Sequence, residues 1–238
     1  RIEADMTLLL TPEQAADLPV DDINAKINEA FYYDEYEWQR QSNIRITYKD
    51  NAKGIHKVLY KCPSCMTEYR MTSYGTTIEC THCGKKWELT EYGELKAHDG
   101  ITEFSRPSLW YEFEREEVRK EIEAGTYFFE DEVIVDSLPN SRGFIRLGKG
   151  MLRHDMNGFT LKGTFDGEQF ELRKEPLTMY SCHIEFDYNK TGDCIDLSTL
   201  SDTYYLYPQG QRFSVTKIAL ATEELYKFYM QKQLGKNK

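Results

Sequence analysis

No apolar run in these 238 residues approaches the roughly 18 that a membrane span needs. The longest candidate, Met6-Thr7-Leu8-Leu9-Leu10, is a fraction of that length, and no basic n-region followed by a long apolar stretch marks a signal peptide. Positive charge is short as well. Lys+Arg 30 against Asp+Glu 40 leave a net −10, so general binding to nucleic acid or anionic membrane starts against long-range repulsion. A Gly-rich phosphate loop, G-x-S-x-G and H-E-x-x-H are all missing, which removes the phosphate cradle, the nucleophile elbow and the zincin helix. Internal repeats and low-complexity stretches are absent. Six cysteines are too few for a dense disulfide scaffold, which a chain of this size does not need. Arg1 in place of Met leads us to expect a piece of something longer.

Residues 1–50 read as a helical connector. Thr11-Pro12-Glu13-Gln14 supplies an N-cap, a proline at the first helical position and a capping-box Gln. A second start at Asp21 carries Ile23, Ile27, Ala30 and Phe31 at helical spacing, and a third opens at Asp34 with Tyr36 and Trp38. An amphipathic connector packed on its neighbour is expected, in preference to a free partner-binding arm.

Residues 51–100 alternate in short segments, Val58/Tyr60, Tyr69/Met71 and Trp87/Leu89, with turns at Ser73-Tyr74-Gly75 and Tyr92-Gly93. A linking helix follows within 101–125, near Leu109–Glu123, carrying Trp110, Phe113, Val118 and Ile122 and ended by Ala124-Gly125. Its Glu112, Glu114, Arg115, Glu116, Glu117, Arg119 and Lys120 read as a face laced with salt bridges.

Over 126–234 the period changes from 3.6 to 2. Strands are expected around Val133/Val135, at Phe144–Leu147 before a turn at Gly148-Lys149-Gly150, and on both sides of Asn157-Gly158 and Asp166-Gly167. Three more are expected at Met179–Tyr188, Cys194–Leu197 and Thr203–Tyr207. A final helix capped by Ser214 carries Val215, Ile218, Ala219, Thr222, Leu225, Tyr226 and Tyr229 as one stripe covering an open barrel end. The expected fold is therefore α+β and multidomain: N-terminal helices, a four-cysteine zinc ribbon, then a pleckstrin-homology-like antiparallel sandwich or barrel closed by the C-terminal helix. That last likeness is a fold analogy and decides no function.

Cys62-Pro63-Ser64-Cys65 and Cys80-Thr81-His82-Cys83-Gly84 carry the sharpest chemistry. Each pair presents two thiolates from one tight turn, and two facing turns complete a tetrahedral S₄ shell suited to Zn²⁺, with iron as the impostor. Fourteen residues between the pairs suffice for one hairpin. A filled shell leaves no position for substrate, so the expected metal is structural, bound by Cys62, Cys65, Cys80 and Cys83. Gly84 is expected to relieve the turn and aim its N–H at sulfur. His82 is expected to be a loop residue. A thioredoxin-like centre lacks its βαβ unit, and disulfides lack an export signal. The zone has few apolar residues, so metal binding of about 10–16 kcal/mol is expected to serve as folding energy. Over 52–98 seven basic residues meet five acidic ones, a net +2 that makes no basic face, so a nucleic-acid adaptor is the weaker alternative.

Outside the ribbon, Cys182 shares a strand face with Tyr180, Ile184 and Phe186 and reads as a core thiol, against the alternative of a stand-alone enzyme using Cys182 and His183. On the other face His183, Glu185 and Asp187 read as solvated polar residues rather than an acid–base or second metal set. Arg142, Arg146, Lys149 and Arg153 gather around one hairpin; a mixed charged surface is expected there, in preference to a headgroup site.

The phrases Met6-Thr7-Leu8-Leu9 to Phe31-Tyr32-Tyr33-Asp34, Gly54–Pro63, Trp87–Gly93, Met179–Glu185 and Cys194–Leu200 resemble the C-terminal region of lysophospholipid (1-acylglycerol-3-phosphate) acyltransferase family proteins from clostridial-type Gram-positive bacteria. The resemblance covers nearly the whole chain. It implies a parent whose catalytic N-terminal domain carries H-x4-D, a His base paired with an Asp. Of the five histidines here (His56, His82, His98, His154, His183), none has an acid five positions on except His98, with Glu103. No catalytic residue therefore carries over. The expectation is an accessory or regulatory region, cytoplasmic and membrane-associated through its parent. Its partners would be that acyltransferase domain and a protein, lipid-headgroup or acyl-carrier ligand. Acyl carrier protein is acidic, so docking it would require a local basic patch such as Arg142, Arg146 and Arg153.

Overall fold

The structure, a computed structural model, describes residues 6–139 and 142–236. Three short helices come first: α1 (Pro12–Asp17), α2 (Val20–Phe31) and α3 (Glu35–Gln41). The capping box forms as written, with Thr11 Oγ1 accepting from the Gln14 N–H and the Gln14 side chain accepting from the Thr11 N–H. Only α3 packs on the body. Asp34 caps it and also accepts from Arg106 (2.8 Å) and Ser108 (2.7 Å). Gln39, buried, donates to the Ile44 and Glu91 carbonyls. The expectation of a packed connector fails for α1 and α2, which bury no residue. The apolar stripe of α2 faces outward, with Val20 71% and Phe31 79% exposed.

Four strands, β1 (Met71–Tyr74), β2 (Thr77–Cys80), β3 (Lys86–Leu89) and β4 (Leu95–Ala97), form an antiparallel sheet in sequence order. The expected strand at Val58/Tyr60 is not one. Gly54 at φ +91 opens a single 3₁₀ turn over Ile55–Lys57, and Leu59 and Tyr60 enter the core from the coil that follows. Ala52, Leu59, Met71, Ile78, Leu89 and Leu95 pack around Trp87, and Trp110 from α4 (Pro107–Glu123) completes the cluster at 4.9 Å between ring centroids. Nine of the cluster's ten buried residues come from residues 52–95, and the linking helix supplies the tenth.

Seven strands follow: β5 (Phe128–Ser137), β6 (Ile145–Asp155), β7 (Gly158–Phe165), β8 (Glu168–Lys174), β9 (His183–Tyr188), β10 (Gly192–Ser198) and β11 (Thr203–Pro208). They make one antiparallel sheet in the order β8-β7-β6-β5-β11-β10-β9. Two meanders are thus joined where β5 pairs with β11, Val135 opposite Leu206. Among the described residues neither sheet is closed, and the seven strands stand as an open, curved antiparallel sheet. Both meanders nevertheless turn side chains into one core of Val133, Val135, Leu152, Leu161, Ile195, Leu197 and Leu206. Phe170 of β8 reaches Tyr204 of β11 at 5.2 Å across that curve. The expected turn at Gly148–Gly150 is instead a bulge inside β6. Val135 pairs with Gly148 and Asp136 with Arg146, which leaves Leu147 over, and Gly148 at φ +131 absorbs the kink.

The last helix, α5 (Val215–Lys236), was expected to bury one stripe. It is covered on two sides. Val215 and Ile218 join the sheet core, while Leu220, Ala221 and Leu225 pack on Val118 and Ile122 of α4. Two apolar sides blur a one-stripe pattern, which is why the second was missed. Among the described residues no helix is long and apolar enough to cross a membrane.

Candidate metal centre

Two short loops with the same backbone plan carry the four cysteines. In the first, the Cys62 N–H donates to the Thr67 carbonyl (3.0 Å) and the Met66 N–H to the Cys62 carbonyl (2.9 Å). In the second, the Cys80 N–H donates to the Lys85 carbonyl (2.9 Å) and the Gly84 N–H to the Cys80 carbonyl (2.8 Å). Both turns need a left-handed residue after the second cysteine, filled by Met66 at φ +61 and Gly84 at φ +76. The expectation that the Gly84 N–H points at sulfur is corrected, since that N–H is taken by the Cys80 carbonyl. The N–H groups on sulfur are those of Ser64 and Cys65 toward Cys62, and of His82 and Cys83 toward Cys80. A hydrogen bond from the Thr81 N–H to the Arg70 carbonyl, 2.7 Å, ties the two loops together.

The four sulfurs lie within 4.8 Å of one another. Cys62 and Cys83 approach to 3.8 Å, Cys65 and Cys80 to 3.7 Å. A tetrahedral ion at about 2.3 Å from each sulfur sets its ligands ~3.8 Å apart. The spacing therefore fits a four-coordinate thiophilic metal with no position left over. Burial pushes the Cys62 and Cys80 thiols upward. At Cys65 burial also raises the value, but Thr67, by side chain and backbone, and His82 outweigh it and bring the thiol down to about 6. These neighbours favour the thiolate of Cys65, the form that ligates a metal. His82 is exposed, its Nδ1 3.3 Å from Thr67 Oγ1, and supports the shell from outside it.

Sequence reasoning missed what lies behind the first loop. Glu114 was read as part of a solvated, salt-bridged face, yet it is fully buried on the α4 stripe Pro107, Trp110, Glu114, Val118 and Ile122. Its Oε1 accepts from the Lys61 N–H at 2.7 Å, and the Trp110 indole N–H donates to the Lys61 carbonyl at 2.8 Å. Burial holds the Glu114 carboxyl well above the usual range, against the opposing pull of the Lys61 and Tyr60 backbone N–H groups. The available signal was spacing: residue 114 lies on the same helical line as Trp110 and Val118. The Lys61 ammonium sits between Glu68 (3.4 Å) and Glu117 (3.1 Å), and Lys217 of α5 bridges Glu68 (2.9 Å) and Glu121 (2.8 Å).

No family model, no curated protein and no solved structure matches this chain.

Elsewhere, Cys182 is buried in the sheet core with its thiol pushed up by burial, as a packing residue would be. His183 and Asp187 are not brought together. His183 Nδ1 meets Asp196 at 2.8 Å, while Asp187 pairs with Lys57 at 2.7 Å. Arg146, Lys149 and Arg153 are bound to Asp136, Glu132 and Asp155, a mixed charged surface. Of the seven ribbon cations, Lys57, Lys61, Lys85, Lys86 and Lys96 are in ion pairs.

Proposed function

We propose that this chain is a non-catalytic, zinc-binding accessory region that mediates protein contacts for a larger enzyme, on the sequence resemblance a phospholipid acyltransferase. The observation that carries it is the sulfur cluster: all four lie within 4.8 Å of one another, two of its edges, 3.8 and 3.7 Å, match a tetrahedral shell, and a shell filled by four thiolates leaves nothing for a substrate to displace. Against a stand-alone enzyme, Cys182 belongs to the core with its thiol pushed up by burial, and His183 pairs with Asp196 at 2.8 Å while Asp187 is taken by Lys57. The pleckstrin-like reading of the β region is supported by its two meanders in the order β8-β7-β6-β5-β11-β10-β9 and by the C-terminal helix on the core. Protein contacts are favoured over lipid headgroups. Three of the four candidate cations are neutralised by acids, while the α2 stripe stands exposed. Paired ribbon cations and a net −10 favour a role away from nucleic acid.

The deciding experiment is elemental analysis of reduced, unchelated protein, with one equivalent of zinc expected. Less than half an equivalent of any transition metal would overturn the reading. For the parent, the upstream coding sequence is expected to encode H-x4-D, and its absence would remove the acyltransferase assignment.

A further inference from the structure

The cluster's first loop is held from behind by one helix, and that arrangement has a consequence for the metal. Lys61, directly before ligand Cys62, has both backbone groups taken by α4: its N–H by Glu114 Oε1 (2.7 Å) and its carbonyl by Trp110 Nε1 (2.8 Å). Trp110 stacks edge-on against Trp87, and Trp87 pairs with Ile78 on β2, the strand that ends in ligand Cys80. One indole therefore touches the supports of both cysteine pairs. The same helix continues through Val118 and Ile122 into the α5 packing, and Arg119 binds buried Glu224 at 2.8 Å.

We infer that Glu114 and Trp110 are positioning residues for the metal: by fixing the two peptide groups that flank the Lys61 Cα they set Cys62 in place, and so couple metal binding to the seating of α4. The inference rests on the reading that the cluster holds zinc. With the peptide groups on either side of the Lys61 Cα each held by α4, Cys62 meets the ion with less backbone freedom left to lose. By reciprocity, the bound ion steadies α4.

The test is zinc affinity of the full chain, measured by competition with a chromophoric chelator. Glu114→Ala and Trp110→Phe are each expected to weaken zinc about 10- to 100-fold, the usual cost of losing an outer partner of a ligand. Glu114→Gln keeps an uncharged oxygen acceptor for the Lys61 N–H and is expected to bind like wild type. Val118→Ala, buried on the same helix but away from Lys61, is expected to lower Tm and to weaken zinc far less than Glu114→Ala does. The inference is overturned if helical, folded Glu114→Ala holds zinc as wild type does, or if Val118→Ala weakens zinc equally. Should Glu114→Ala fail to fold, Glu114→Gln against Trp110→Phe decides: equal affinities overturn it, and loss in Trp110→Phe alone supports it. Wild type that takes up no metal at all would instead remove the zinc reading, and this inference with it.

Discussion

In the ribbon, two of the ten buried core residues are cysteines of the metal cluster, Cys62 and Cys80, and a third wall comes from another element through Trp110. Under the seven-stranded sheet, twelve buried residues include a single thiol, Cys182, and otherwise close on themselves with β-strand and α5 side chains. The first core is completed by a borrowed helix and, on the proposed reading, an ion; the second by its own apolar area. Losing the ion should therefore open one core and spare the other.

If the cluster holds zinc as proposed, removing it is the largest perturbation, since structural zinc binding contributes about 10–16 kcal/mol. Chelation is expected to abolish the near-ultraviolet circular dichroism of the Trp87–Trp110 pair while the sheet signal persists and melts as a separate, later transition. A single joint transition would break the contrast. Leu161→Ala tests the other side. It is fully buried, so a cost of roughly 2–5 kcal/mol in urea unfolding is expected, with zinc content unchanged.

His154 sharpens the comparison by pH. It is buried under the sheet, stacked on Phe159 at 3.7 Å and hydrogen-bonded to the Tyr127 hydroxyl, and burial brings its pKa down to about 3. In the unfolded chain it titrates near the ordinary histidine value. Between those values the unfolded state binds the extra proton, so stability is full above about pH 6.5 and falls as pH drops, by up to ~1.4 kcal/mol per unit. His154→Phe is expected to flatten that slope in urea titrations between pH 7 and 5. An unchanged slope would place the acid sensitivity elsewhere. The smallest effect separates the two cysteine loops. Met66→Gly relieves a left-handed residue and is expected to gain up to ~1 kcal/mol, whereas Gly84→Ala is expected to lose about that much.

Local chemistry was readable from the sequence wherever one residue type decides the conformation. The Thr11/Gln14 box, Pro12 at the start of α1, and the hairpins at Gly158 (φ +86) and Gly167 (φ +84) follow from capping, a locked φ and a free one. The four sulfurs are likewise together, because C-x-x-C fixes each pair within one turn. What failed was long-range. Neither the β5–β11 pairing that makes one sheet of two meanders nor the second apolar side of α5 is written in local periodicity. Glu114 was misjudged because a carboxylate on a charged helix resembles its solvated neighbours until a backbone N–H from residue 61 is found against it.

The Lys61–Glu68–Lys217–Glu121 chain stitches ribbon, α4 and α5 with half-buried charges whose counterparts lie in distant stretches of sequence. A ribbon excised at residue 100 would keep its cation-binding thiols but strand Lys61 and Glu68 without Lys217 and Glu117. Transplanting it as a portable module would accordingly carry the chelating loops and leave their electrostatic anchorage behind.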